Sequence, residues 1–303
     1  MANEITSALL QANGGLEASV LSDLLVQQLY DATDLSAVCT KIPWQPAGGQ
    51  GLQVTLDAVP GAYTASATEL ADAPANAAYT TSKYTLTPVR YAMRYQMTDL
   101  VPITGARIGL DEVANKLVQG VSLTITDKLT SLFPGVTAAV GNGTTAISVD
   151  TIFDAAFQLN TANNAGTFSL VLSPAQINSF RSSLRAESGA VQFREVTYET
   201  LRARGPGYQG FWSGIDLWQS DSVTAPGGVV TGAMFSNGAF AMTMADPRVI
   251  GGNVAGDDII FSNELMMLER DRNAVNATSS IIGNIYLAMV MAEDARAVEV
   301  RSS

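Results

Sequence analysis

Residues 57–84, DAVPGAYTASATELADAPANAAYTTSKY, contain almost no side chain able to build a core. They are mostly Ala, Ser, Thr and Gly, with two acids, Glu69 and Asp72, near the middle. Yet a patterned segment leads in (Leu52, Val54, Leu56) and a longer one leads out (Tyr91, Met93, Tyr95, Met97). An unpatterned loop of about 26 residues is uncommon inside a compact domain. Ordering its backbone costs about 1–2 kcal/mol per residue, and an isolated two-stranded hairpin is too marginal in water to offset that. Either the segment stays disordered or another molecule orders it. The flanking strands favour the second option, a hairpin projecting from the body onto a neighbour, with small side chains that permit close backbone approach.

Composition narrows the function classes. With 303 residues, 47% hydrophobic and only 15% charged, the chain can bury one large core or two modest ones. Its 28 acids against 17 bases give a net charge of −11, which disfavours wrapping duplex nucleic acid. It fits a surface that does not adhere to DNA held nearby. Cys39 is the only cysteine, so an intrachain disulfide is excluded. The opening MANEITSALLQANGG has neither a basic n-region nor a continuous apolar h-region. The apolar stretch Ile281 to Ala292 is broken by Gly283 and Asn284 and falls short of a membrane helix. The expectation is a soluble protein in a reducing cytoplasm, without a membrane partner. Histidine is absent, which removes the commonest general base and metal ligand.

Periodicity supplies the elements. Leu16, Val20, Leu24, Leu25 and Leu29 have helical spacing, read either as a short packed helix or as an arm docking on a partner chain. KIPWQPAGGQG (41–51) breaks regular structure. In PVRYAMRYQMT, Val89, Tyr91, Met93, Tyr95 and Met97 share one face and Arg90, Arg94 and Gln96 the other, the mark of a half-buried antiparallel strand. Residues 109–133 form the longest expected helix, with Leu110, Val113, Leu117, Val121, Ile125, Leu129 and Leu132 at intervals of three and four. Asp150 is read as N-cap of a helix carrying Ile152, Phe153, Ala156, Phe157 and Leu159. TFSLVL (167–172) is a buried strand, and Ser173, Pro174 and Gln176 open a further helix with Ile177, Phe180 and Leu184 on one stripe. Strands are expected at 215–219, 229–235 and 239–244. Those from 258 onward, AVEVR included, most simply pair with the 84–98 strand.

Motifs weigh little beside their bland readings. GPGYQG (205–210) matches G-x-G-x-x-G literally but lacks the preceding strand, so a loop is the better reading. The acid pairs Asp257–Asp258 and Glu293–Asp294 lack a third fixed metal ligand. Asn142-Gly143 reads as a tight turn and Cys39 as a small apolar filler. The cluster Arg181, Arg185, Arg194, Arg202 and Arg204 concentrates positive charge in an acidic chain, on solvated helix faces or against acids of a neighbouring subunit.

The order of elements resembles a tailed-bacteriophage major capsid protein with the Hong Kong 97-type α+β fold. YTLTPVRYAMRYQMTDL resembles the strand leaving that family's extended loop, GLDEVANKLVQGVSLTITDKL its spine helix, and TFSLVLSPAQINSFRSSLRAESG with GFWSGIDLWQSDSV its axial domain. The resemblance implies an N-terminal arm (1–46), an extended hairpin loop (47–88), a peripheral domain (89–145 and 250–303) with a spine helix over 109–133, and an inserted axial domain (146–249). It implies a non-enzymatic shell protein forming hexamers and pentamers around DNA without sequence-specific binding, with no cofactor, metal or catalytic residue. The resemblance implies a portal, either a separate scaffolding protein or a scaffold-free route, and in some members decoration proteins, with the virion capsid, preceded by the host cytoplasm, the implied location. Expected contact residues between subunits are Glu69, Asp72, Lys83, Arg181, Arg185, Arg270 and Arg272, with the two acids meeting Arg270 or Arg272. Residues 57–82 contain no Lys, and Lys83 sits at the hairpin base, so the covalent crosslink of some members is not expected. An encapsulin-like compartment is the near alternative. A carboxylate enzyme using Asp257 or Asp258 beneath a loop lid is the distant one.

Overall fold

A computed structural model describes residues 35–44, 52–57, 81–98, 110–162, 166–186, 207–223, 225–247, 259–262, 266–273 and 275–303. In chain order the strands are β1 (Thr40–Lys41), β2 (Leu52–Asp57), β3 (Thr81–Leu86), β4 (Val89–Thr98), β5 (Ala139–Val140), β6 (Phe168–Leu172), β7 (Tyr208–Trp212), β8 (Ile215–Gln219), β9 (Val230–Phe235), β10 (Phe240–Met244), β11 (Ile259–Ser262), β12 (Met267–Asn273), β13 (Thr278–Met291) and β14 (Ala297–Ser302). Helix α1 spans Leu110–Thr130, α2 Val149–Thr161 and α3 Pro174–Ala186. None of the helices among the described residues is long and apolar enough to cross a membrane.

Two six-stranded sheets carry the body. The first runs β1-β10-β13-β12-β11, with β4 also antiparallel to β13 from Thr98↔Thr278 to Val89↔Leu287. The second runs β5-β14-β9-β6-β8-β7. Among the described residues, strands β2 and β3 pair only with each other.

The helical spacing of the 109–133 stretch has the physical consequence expected of it. Leu117, Val121, Ile125 and Leu129 are buried along one stripe of α1, against Leu268, Ile285 and Leu287 of the first sheet. After Thr130 the chain tightens into a 3-10 turn, Phe133–Gly135, where Pro134 cannot continue the ladder. That turn inserts Phe133, whose ring meets Phe240 at 5.7 Å and Phe235 at 6.1 Å.

The second sheet separates two cores. Alternation along its central strands sends neighbouring side chains to opposite faces. Val171, Ala233, Phe235 and Ala297 join the α1 core, while Leu170, Met234, Val298 and Val300 join a second core under α2 and α3. Burial on both faces explains why β6 and β9 carry apolar residues in succession, Leu170–Leu172 and Ala233–Phe235.

The two sheets are strapped together twice. The chain crosses from β9 to β10 through 236–239 and from β13 to β14 through 292–296, and these crossings lie side by side. Ser236 N–H donates to the Arg296 carbonyl at 3.0 Å and Ala292 N–H to that of Ala239 at 2.8 Å. The Arg296 guanidinium donates to the Asn237 carbonyl at 3.1 Å and is ion-paired with Glu293.

Several local expectations need correction. The segment AVEVR does not pair with the 84–98 strand; β14 lies between β9 and β5 in the other sheet. Strand β10, within the range expected for the inserted module, pairs with β13 and β1 in the first sheet. Ser148, not Asp150, caps α2: its hydroxyl accepts from Thr151 N–H at 3.3 Å, and Asp150 sits in the first turn. On α2 the inward stripe is Ile152, Ala155 and Leu159, whereas Phe153 and Phe157 point outward. The GPGYQG segment ends in strand rather than loop, because Tyr208–Gly210 opens β7 and the ladder to β8 shifts at Gly210. The amphipathic stretch 16–31 falls outside the described residues.

Candidate assembly surfaces

Among the described residues the hairpin joins neither sheet's ladder, although β3 packs beside β13. Its strands run antiparallel from Leu52↔Leu86 to Asp57↔Thr81, so residues 58–80, outside the described residues, continue from its far end. It is rooted by Leu86, which is fully buried. Tyr84 is half-buried, and that burial pushes its phenol above the usual range. Lys83 is exposed and opposite Thr55. Glu69 and Asp72 lie outside the described residues. Arg270 and Arg272 stand on β12 in register with Ile281 and Ser279.

Strand β4 ties this root to the body on both of its faces. On the helix side, Lys116 Nζ lies 5.5 Å from the Tyr95 ring and Lys128 Nζ 5.2 Å from the Tyr91 ring, two cation–π contacts bracing α1. On the other face, Arg90 Nε donates to Asn284 Oδ1 at 2.8 Å and Arg94 Nε to Ser280 Oγ at 2.9 Å. Arg90 also lies 3.7 Å from Glu269. Sequence alternation isolated Arg90 and Arg94, but their partners on β12 and β13 escaped notice. The polar Ser280 and Asn284, spaced by an even interval within an apolar run, were the available signal.

On the opposite module, Arg181 and Arg185 are exposed on α3, with Arg181 donating to Gln209 Oε1 at 2.8 Å. Arg194, Arg202 and Arg204 fall outside the described residues. The remaining motif residues are committed to structure. Asp294 accepts from Thr137 N–H at 2.9 Å. Asn142 Oδ1 accepts from the Thr144 and Thr145 amides at 3.0 and 3.1 Å, closing the expected turn, with Gly143 at φ +69°. Cys39 is buried, its thiol directed at the Leu35 carbonyl.

Two half-open cavities of about 280 and 240 Å³ flank α1, lined by residues such as Tyr91, Met93, Leu117 and Met266 or Leu86, Val89, Lys128 and Leu132, with no acid among the described lining residues. Among the described residues no three Cys, Asp or Glu side chains gather to hold a metal ion. Asp257 and Asp258 lie outside the described residues.

No protein-family model matches the sequence, and no curated protein matches it. Solved structures do. The capsid of Cyanophage P-SCSP1u is similar over 90% of this chain and 89% of its own, at 11% identity and a TM-score of 0.57. The mature capsid of bacteriophage PhiM1 is similar over 90% and 87%, at 11% identity and a TM-score of 0.56. The SrpI encapsulin from Synechococcus elongatus PCC 7942 is similar over 88% and 85%, at 13% identity and a TM-score of 0.53. With its separate hairpin, its long helix on one sheet and its two-helix module on the other, the chain has the Hong Kong 97-type fold of tailed-phage capsid proteins.

Proposed function

We propose that the chain is a major capsid protein that self-assembles, as hexamers and pentamers, into the icosahedral head of a tailed double-stranded DNA phage. The observation that carries this reading is the hairpin: two strands that pair with neither sheet, leading into a segment with no core-forming residues, on a fold seen in phage capsids. Such a finger gains order by lying across the peripheral domain of an adjacent copy. Assembly interfaces of this kind commonly bury about 2,000 Å² or more, which suits a chain with 15% charged residues.

In this reading the chain divides into an arm (1–46), the hairpin loop (47–88), a peripheral domain (89–145 and 250–303) and an axial domain (146–249), with β10 and β14 each pairing into the sheet of the other body. Glu69 and Asp72 meet Arg270 or Arg272 of the neighbour, and Lys83 contacts it from the hairpin base. Scaffolding, portal and decoration proteins are separate partners, and the protein passes from the host cytoplasm to the virion. The role is structural, not enzymatic.

Deleting 62–78 tests the reading. The expected product is a folded monomer, shown by an unchanged circular dichroism melt, that forms no particles by electron microscopy. Particles of normal size would remove the hairpin from the assembly mechanism. The likeness to the SrpI encapsulin favours a second reading, a shell that packages protein. Particles carrying DNA and a portal support the phage head; particles filled with enzyme support the compartment.

A further inference from the structure

Two phenylalanines one turn apart on α2 face solvent, Phe153 at 45% and Phe157 at 71% exposure. They are not needed by the core beneath, which Ile152, Ala155 and Leu159 already fill. Phe153 is nevertheless held in place. Its ring lies 5.1 Å from Trp212, and the same indole receives Phe180 edge-on at 5.2 Å. The three rings form a stack running from the buried Phe180 to the surface, and Phe157 continues the stripe one turn further along the helix. An aromatic pair supported from below and surrounded by polar groups has the anatomy of an interface hot spot.

The surrounding charge identifies the occupant. Asp150 and Asp154, both exposed on α2, have no ion-pair partner among the described residues. The other helix of the module, α3, exposes Arg181 and Arg185. One copy therefore displays an acidic, aromatic helix face and a basic one. Two α2 faces brought together would set Asp150 and Asp154 against their own images, whereas α2 against α3 sets opposite charges in contact.

We infer that the Phe153–Phe157 face of α2 is the docking surface for a second copy of this chain, seated head-to-tail on the neighbour's α3 with Asp154 facing Arg185. A head-to-tail contact repeats around a closed ring when its rotation closes, as a capsomer requires. The inference rests on the shell reading and deepens it by naming a contact within the ring.

The test uses the full chain. Phe157→Asp, at a side chain already in water, is expected to keep the parent's melting curve while raising the protein concentration needed for particles at least about tenfold, read by light scattering and negative-stain microscopy. Phe157→Ser shows a smaller change in the same direction. Asp154→Arg lowers particle yield, and adding Arg185→Asp to the same chain restores it, a rescue that a purely structural role would not produce. Normal assembly by Phe157→Asp overturns the inference and assigns the face to a foreign partner or to none. Failure of the reversed pair to recover overturns the head-to-tail pairing. A parent chain that stays solitary overturns the shell reading itself, and the inference with it.

Discussion

Gln176 shows how much one side chain can carry. It is 2% exposed and opens α3 with a reciprocal cap: its amide N–H donates to Ser173 Oγ at 3.2 Å, and its Oε1 accepts from Ser173 N–H at 3.1 Å. Its Nε2 then donates to the Val230 carbonyl at 3.1 Å and to Ser302 Oγ at 3.0 Å, joining the helix to β9 and β14. Gln176→Leu keeps the bulk but removes the side-chain partner of the Ser173 N–H and the Val230 carbonyl, so a loss of about 2–4 kcal/mol is expected in urea unfolding. The cap was legible in Ser-Pro-Ala-Gln because capping is local. The amide partners were not, since Val230 and Ser302 lie 54 and 126 positions away. Ser148 and Asp150 illustrate a different gap. Both residue types cap helices well, and only backbone geometry decides which one does.

Among elements, β14 carries the widest consequences. It lies between β5 and β9, and its Val298 and Val300 close the core beneath α2 and α3. A chain ending at residue 296 loses a central strand rather than an edge, and it is expected to show no cooperative melt and to collect in the insoluble fraction. That Ala-Val-Glu-Val-Arg forms a strand was legible from its alternation. Its partner was not, because strands nearby in sequence usually pair and this one crosses to the other sheet. The α2 stripe failed for a related reason. Its apolar residues occupy two faces, and periodicity cannot say which of them meets the sheet. Strand β4 and helix α1 were read well because each has a single apolar face at a sustained period.

At the scale of the whole molecule, the proposed dependence on a neighbouring copy starts from what residues 57–84 lack, a feature that needs no structure to read. The proposed shell role rests on that segment together with a fold seen in capsids. How the two bodies meet was invisible beforehand, because it depends on the paired crossings at 236–239 and 292–296. Hydrogen-bonded side by side, those crossings oppose a swinging joint. Insert a protease site between Asn237 and Gly238 and cut it: the fragments should still migrate as one species on a native gel and part only in denaturant. In the proposed shell, changes of curvature fall at the seams between molecules, because the paired crossings resist flexing inside one.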